Sequence, residues 1–219
     1  MLSILRRLSF RHAAYEAEYQ AAISRLVQDG WTCADVGAHE GIYTRLLARL
    51  VGESGRVVAF EAHPETARRL RSSLGRGLGE RVTVENLAVT DGAAQRVMLH
   101  PGRNRWSQEW NVIGVDLDGR STPAELEVGA TSLDAYFSGA QLDFVKLDVE
   151  GAEALVLRGM RRTLREARPV MAVEFHTADG WAGRTELLEA GYRLETPGGE
   201  PVDVGVDATR VYLCLAHPS

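Results

Sequence analysis

Short apolar runs recur along this chain, each followed by a glycine or an acid and then by a stretch with helical periodicity. The runs are Thr32 to Val36, Arg56 to Glu61, Val82 to Val89, Leu142 to Val149 and Val170 to Phe175. Between them, Ile42, Tyr43, Leu46, Leu47 and Leu50 mark one apolar helix face closed by Gly52, and Glu65 to Leu74 follows Pro64 at a first helical turn. Gly151 to Ala167 reads as one helix stopped by Arg168-Pro169, and Trp181 to Ala190 as another ended by Gly191. Tyr192 to Glu195 and Val211 to Leu215 supply the last strands. Strands alternating with helices at this spacing predict an α/β fold, a doubly wound and mostly parallel sheet with helices on both faces. Residues 1–29 read as an N-terminal helical segment. Residues 101–123, crowded with Arg, Trp, Asn, Gly and Pro, read as an irregular insert before the fourth parallel strand, flanked by Val97-Met98-Leu99 and by Leu126 to Ala130.

The chain has 219 residues, 45% of them hydrophobic, and no Pro- or Ser-rich linker divides it. One domain over 1–219 is expected, burying roughly 70% of its extended-chain surface. The longest apolar runs are four or five residues, too short for a bilayer span or for a secretory signal near Met1, so a cytoplasmic protein away from membranes is expected. Cys33 and Cys214 sit inside strand runs and read as buried free thiols rather than a disulfide or zinc framework. Twenty-five basic against thirty acidic residues give a net charge of -5, which opposes binding to a nucleic-acid backbone. The Arg-rich stretches from Arg68 to Arg81 and from Arg158 to Arg168 alternate with Leu as solvated helix faces do. Lys146 is the only lysine, and it lies within an apolar strand pattern.

Sheets of this kind bind ligands beyond the carboxyl ends of their strands, where strand order reverses. The residues placed there are Asp35 to Gly41, Glu61 to Pro64, Ala88, Asp148 to Gly151, and Glu174 to His176. Gly37 allows the turn after the first strand, and Gly41 opens a helix start to close approach by a ligand. A dinucleotide fingerprint needs glycine where His39 stands. Asp35 repels phosphate and favours an ammonium or sulfonium group, while Glu61 can accept from both hydroxyls of a ribose. Together they describe a phosphate-free nucleoside with positive charge and an amino acid tail, as in S-adenosylmethionine. The cofactor-facing set is Asp35, Gly37, Ala38, His39, Gly41, Tyr43, Glu61, Ala62, His63, Ala88 and Asp148.

Several segments resemble the FkbM-type S-adenosylmethionine-dependent methyltransferases. They are Asp35-Val36-Gly37-Ala38-His39-Glu40-Gly41-Ile42-Tyr43-Thr44, Val58 to Pro64, Thr131-Ser132-Leu133-Asp134, Asp143 to Glu153, Arg168-Pro169 and Glu174-Phe175-His176. The likeness covers residues 30–180 or so, and Lys146-Leu147-Asp148-Val149-Glu150-Gly151-Ala152-Glu153 is its most specific part. It implies the class I methyltransferase fold, a Rossmann-like sheet of seven strands with the last one antiparallel. It also implies methylation of a hydroxyl on a sugar, polyketide or related secondary metabolite. His39 stands where the family usually has Asn, and Ala62 where it usually has Pro.

Methyl transfer from a sulfonium is an in-line displacement, so alignment and exclusion of water matter most, and an alcohol must also lose a proton. Asp148 is expected to orient the acceptor and His176, with an ordinary pKa near 6.5, to act as base. Lys146 lies two residues before Asp148, on the same strand face, and should pair with Asp148 or Glu150. Glu150 and Glu174 face the acceptor. Asp148, Glu150, Glu174 and His176 could gather a divalent metal, but their spacing is not diagnostic and no required metal is expected. Trp106 and Trp110 in the insert form a candidate lid over a small-molecule acceptor, or a plug into the core. N-methylation on the same fold, a nucleoside-binding module without turnover and a nicotinamide oxidoreductase are the rivals. The acceptor's identity and any homo-oligomer stay open.

Overall fold

The computed structural model describes residues 16–101, 110–112, 126–205 and 212–219. In chain order the elements are α1 (16–26), β1 (Thr32–Val36), α2 (Ile42–Leu50), β2 (Arg56–Phe60), α3 (Pro64–Ser73), α4 (Gly75–Gly79), β3 (Val82–Glu85) and β4 (Ala88–Val89). There follow β5 (Arg96–Pro101), β6 (Trp110–Val112), β7 (Leu126–Thr131), α5 (Leu133–Tyr136), β8 (Phe144–Leu147), α6 (Glu153–Arg158) and α7 (Arg161–Glu166). The last are β9 (Val170–Phe175), α8 (Ala178–Ala182), α9 (Arg184–Glu189), β10 (Tyr192–Glu195) and β11 (Tyr212–Pro218).

Seven strands form the main sheet in the order β10-β11-β9-β8-β1-β2-β3. From β3 to β9 the strands are parallel, whereas β11 runs antiparallel to both β9 and β10. This is the seven-stranded arrangement implied by the resemblance. Strand order reverses at β1, which pairs with β2 on one side and β8 on the other, so the switch point lies between β1 and β8. Alternation along each strand feeds two cores. Ala34, Val36, Val145, Leu147, Val173 and Phe175 pack with Val156, Leu164 and Trp181, while Cys33, Val57, Ala59, Phe144 and Ala172 pack with Tyr19, Ile23, Leu47 and Leu70. Helix α1 therefore covers the second face, over the same strands that carry Asp35 and Lys146. Both cysteines are free and buried. Among the described residues no helix is long and apolar enough to cross a membrane.

Five expectations need correction. The run Val82 to Val89 is not one strand, because the Asn86 Nδ2 group donates to the carbonyls of Glu61 and Ala62 at 3.0 and 2.8 Å and turns the chain out of the sheet. It re-enters as β4 in a second sheet, ordered β4-β7-β5-β6. The insert is not wholly irregular, since Trp110 to Val112 pair antiparallel with β5, Trp110 opposite Pro101. Trp106 and residues 1–15 lie outside the described residues. The helix expected over Gly151 to Ala167 breaks into α6 and α7 at Gly159, and that over Trp181 to Ala190 into α8 and α9. Ile42 is not buried, at 63% exposure.

Gly159 is there because a Cβ at that position would lie 2.0 Å from the carbonyl oxygen of Thr90. Gly159→Ala should cost about 1–3 kcal/mol of stability through overpacking. Gly77→Ala, in α4 with open space around it, should instead stabilise by about 0.5–1 kcal/mol. Urea unfolding midpoints of the two variants check both signs.

Candidate active site

A cleft of about 200 Å³ opens at the carboxyl ends of β1 and β2. Val36, Gly37, His39, Phe60, Glu61, Ala62, His63, Thr66, Leu87, Ala88, Val89, Asp148, Val149 and Glu150 line it, with no lysine or arginine among them. The Glu61 carboxylate accepts the His39 N–H on Oε2 and the His63 N–H on Oε1, both at 2.8 Å. Burial pushes its pKa up, and these two backbone donors offset the rise only in part. Each oxygen keeps a lone pair for a further donor. His39 has φ +48°, a left-handed conformation that suits asparagine or glycine better than histidine, and Glu150 at φ +52° shares it. Gly37, at φ +84°, lets the first loop cross the β8 end, because a Cβ there would sit 1.7 Å from the Asp148 carbonyl oxygen.

Seven of the eleven residues expected to face a cofactor line this cleft: Gly37, His39, Glu61, Ala62, His63, Ala88 and Asp148. Asp35, Ala38, Gly41 and Tyr43 do not. Asp35 is fully buried on the α2 side of its strand, where the Thr44 hydroxyl donates to Oδ2 at 2.5 Å, and burial raises its pKa. At Gly41, with φ +80°, a Cβ would come within 2.2 Å of Leu70 Cδ1. The apolar walls Phe60, Leu87, Val89 and Val149 had a signal in the sequence, as strand-end residues beside the acids.

On the other side of Asp148 lies a cluster of charged groups. Lys146 stands directly opposite Asp35 in the β1 to β8 register, on the face covered by α1 and α2, and is 2% exposed. Its Nζ donates to Asp148 Oδ2 at 2.6 Å and sits 4.6 Å from the centre of the Tyr43 ring. Burial pulls the Lys146 pKa down, but Asp148, Asp35 and Glu174 outweigh it and the net shift is upward. The Tyr43 hydroxyl donates to Glu16 of α1.

The His176 Nδ1 lies 3.0 Å from Oε1 of the fully buried Glu153, which also accepts from the Gly151 N–H at 2.7 Å. Its Nε2 faces Asp148 Oδ1 at 3.5 Å and Glu150 Oε1 and Glu174 Oε1 at 3.6 Å. Burial disfavours the charged ring, yet the Glu153 hydrogen bond and the charges of Glu150 and Asp148 prevail and hold its pKa at about 9. A base poised near neutral pH would need the opposite shift, so these charges weigh against that role without assigning another. Burial and the Asp148 charge push Glu174 up to about 7. Glu153, Glu16 and Tyr19 belong to this side and were not singled out as site residues. Glu153 stood in the quoted motif, whereas nothing in the sequence pointed to the two residues on α1.

The family model for the FkbM methyltransferase domain matches residues 35–194, which contain the cleft and the cluster around His176 but not Glu16 and Tyr19 of α1. The chain belongs to the FkbM methyltransferase family. Among solved structures, methyltransferase FkbM from Methylobacillus flagellatus KT matches with a TM-score of 0.53 and 18% identity, over 85% of this chain and 43% of that one. The SAM-dependent O-methyltransferase from Thermotoga maritima matches at 0.52 and 21%, over 91% and 64%. Fibrillarin from Aeropyrum pernix, bound to S-adenosyl-L-methionine, matches at 0.51 and 14%, over 87% and 68%. These likenesses establish the fold. The chain spans less than half the length of the Methylobacillus protein and under two thirds of the Thermotoga one. A search of curated proteins finds no match.

In this FkbM domain the buried Lys146 ammonium holds Asp35, Asp148 and Glu174 together, so Lys146→Met should lower stability by about 3 kcal/mol in thermal unfolding. His176 has a folded pKa of about 9 against an ordinary 6.5. Its contribution to stability should therefore be full below about pH 6.5 and be lost as pH rises through 9. In chelator-treated protein, the difference in melting temperature between wild type and His176→Gln should shrink over that range.

Proposed function

We propose that this chain is an S-adenosylmethionine-dependent methyltransferase whose acceptor is a hydroxyl of a small molecule. The observation that carries the cofactor is Glu61: a half-satisfied carboxylate at the end of β2, facing a cleft with apolar walls and no lysine or arginine among the described residues that line it. Phe60, Leu87 and Val89 suit the faces of a purine, and Glu61 suits two vicinal ribose hydroxyls. A pyrophosphate would find no lysine or arginine on that lining, which disfavours a dinucleotide. When bound, S-adenosylmethionine supplies an electrophilic methyl carbon on a positively charged sulfur.

Asp148 joins the two halves, because it lines the cleft and also pairs with Lys146. Lys146 occupies Oδ2, while the buried Oδ1 has no hydrogen-bond partner. That oxygen faces His176 Nε2 at 3.5 Å, and an acceptor hydroxyl entering between the two would be aligned by it. Glu153 pins His176 from behind, so the imidazole forms a fixed wall to the acceptor. The acids favour a hydroxyl over an amine. Carboxylates at Asp148, Glu150 and Glu174 would stabilise a protonated ammonium and withhold the lone pair that attack requires. Their charge, with the chain's net -5, also opposes a nucleic-acid acceptor.

The test is calorimetric titration of S-adenosylhomocysteine. Wild type should bind at micromolar concentration, and Glu61→Ala should bind roughly 100-fold more weakly through two lost hydrogen bonds to a charged group. Absence of binding to folded wild type would overturn the cofactor. Turnover with amines but with none of a panel of sugar and polyketide hydroxyls would overturn the acceptor class.

A further inference from the structure

We infer that Asp148, Glu174 and His176 form a binding site for a divalent transition-metal ion that seats the acceptor hydroxyl. The role given to the ion rests on the methyltransferase reading; its binding does not. One ligand atom from each residue lies within 4.8 Å of the others, the tightest distances being those from His176 Nε2 to Asp148 Oδ1 at 3.5 Å and to Glu174 Oε1 at 3.6 Å. Ligand atoms about 2.0–2.2 Å from a shared ion stand about 3–3.5 Å apart, so small side-chain rotations complete the set. All three residues are partly exposed, which leaves an entry path.

The supporting groups are arranged as a metal site needs. Lys146 takes one oxygen of Asp148 and leaves the other without a hydrogen-bond partner. Glu153, fully buried, holds the Nδ1 side of His176 and turns Nε2 toward the carboxylates, the second partner that metal-binding histidines usually have. Four carboxylates, those of Asp148, Glu150, Glu153 and Glu174, gather around His176, with the Lys146 ammonium beside them. A dication relieves that imbalance.

An independent observation comes from another element. Tyr19 of α1 is fully buried, its hydroxyl has no hydrogen-bond partner, and it lies in the field of Glu174 and Asp148. A buried hydroxyl is rarely left unsatisfied. Here it is placed to donate to a water on the ion or to the acceptor oxygen. One imidazole with two carboxylates suits Mn²⁺ or Zn²⁺ better than Mg²⁺ or Ca²⁺. Bound there in place of the Nε2 proton, the ion would fix the acceptor oxygen beside Asp148 and acidify the hydroxyl, whose proton would pass to Glu150, on the same side of the site, or to water. Of the four residues raised from the sequence, the fold brings ligand atoms of Asp148, Glu174 and His176 within reach of one ion, and Glu150 Oε1 stays 3.6 Å from His176 Nε2.

The experiment is Mn²⁺ titration of chelator-treated full-length protein, read by the loss of the free-ion paramagnetic resonance signal, with Zn²⁺ followed by calorimetry. One ion should bind per chain. Glu174→Gln and His176→Gln should each weaken Mn²⁺ by tenfold or more, and Glu153→Gln by about tenfold. Glu166→Gln, on the exposed side of α7, should change nothing. S-adenosylhomocysteine affinity, measured on each variant, shows that it has folded. Wild type that binds S-adenosylhomocysteine but takes up neither ion overturns the site, as does equal uptake by wild type and Glu174→Gln. Ion uptake without S-adenosylhomocysteine binding supports the site and rejects the cofactor reading instead.

Discussion

One buried ammonium organises the catalytic end of this sheet. Lys146 sits 2% exposed in the strand next to β1, where an unpaired charge would cost several kcal/mol. Parallel register puts Asp35 directly across from it, and chain geometry puts Asp148 two residues further along the same face. Asp148 is thereby oriented with one oxygen committed to Lys146 and the other turned toward His176. The pair is also what lets Glu174, on the following strand, approach the same point. Tyr43 covers the ammonium with its ring and passes the contact on to Glu16 of α1. The N-terminal helix is thus tied electrostatically to the centre of the sheet.

Around this pair, loop conformation supplies the rest. His39 and Glu150 are left-handed, and each follows one of the two strands that flank the switch point. Their strain is held by hydrogen bonds and close packing: the His39 N–H donates to Glu61, and Gly37 lies against the Asp148 carbonyl. Glu61 is satisfied by backbone before any ligand arrives, which pre-organises it at the cost of burying a carboxylate. Asp148 and Glu150 both line the cleft and face His176.

Much of this was legible from short segments. The alternation of strands and helices, the acids at strand ends and the single lysine inside an apolar run led to the fold class and to seven of the cleft residues. The failures share one cause. Asp35, Gly41 and Tyr43 are near the cleft along the chain, but the strand pleat and the helix start turn them toward α1, α2 and α3. Glu153 reads as an ordinary first-turn helix acid, and only the return of β9 makes it the partner of His176. The raised pKa of His176 was not legible because a ring's pKa depends on which charges face it, and those charges come from β8, β9 and the start of α6.

Local chemistry by itself determined the sheet, the phosphate-free nucleoside loop and the family likeness, because hydrophobic period, glycine placement and strand-end acids act over a few residues. Tertiary structure alone decided which acids converge on His176, that Lys146 serves Asp35 and Asp148 together, and that α1 brings Glu16 to Tyr43 and Tyr19 into the field of Glu174 and Asp148. Those outcomes depend on register between strands far apart in sequence and on burial, and neither is encoded within any one segment.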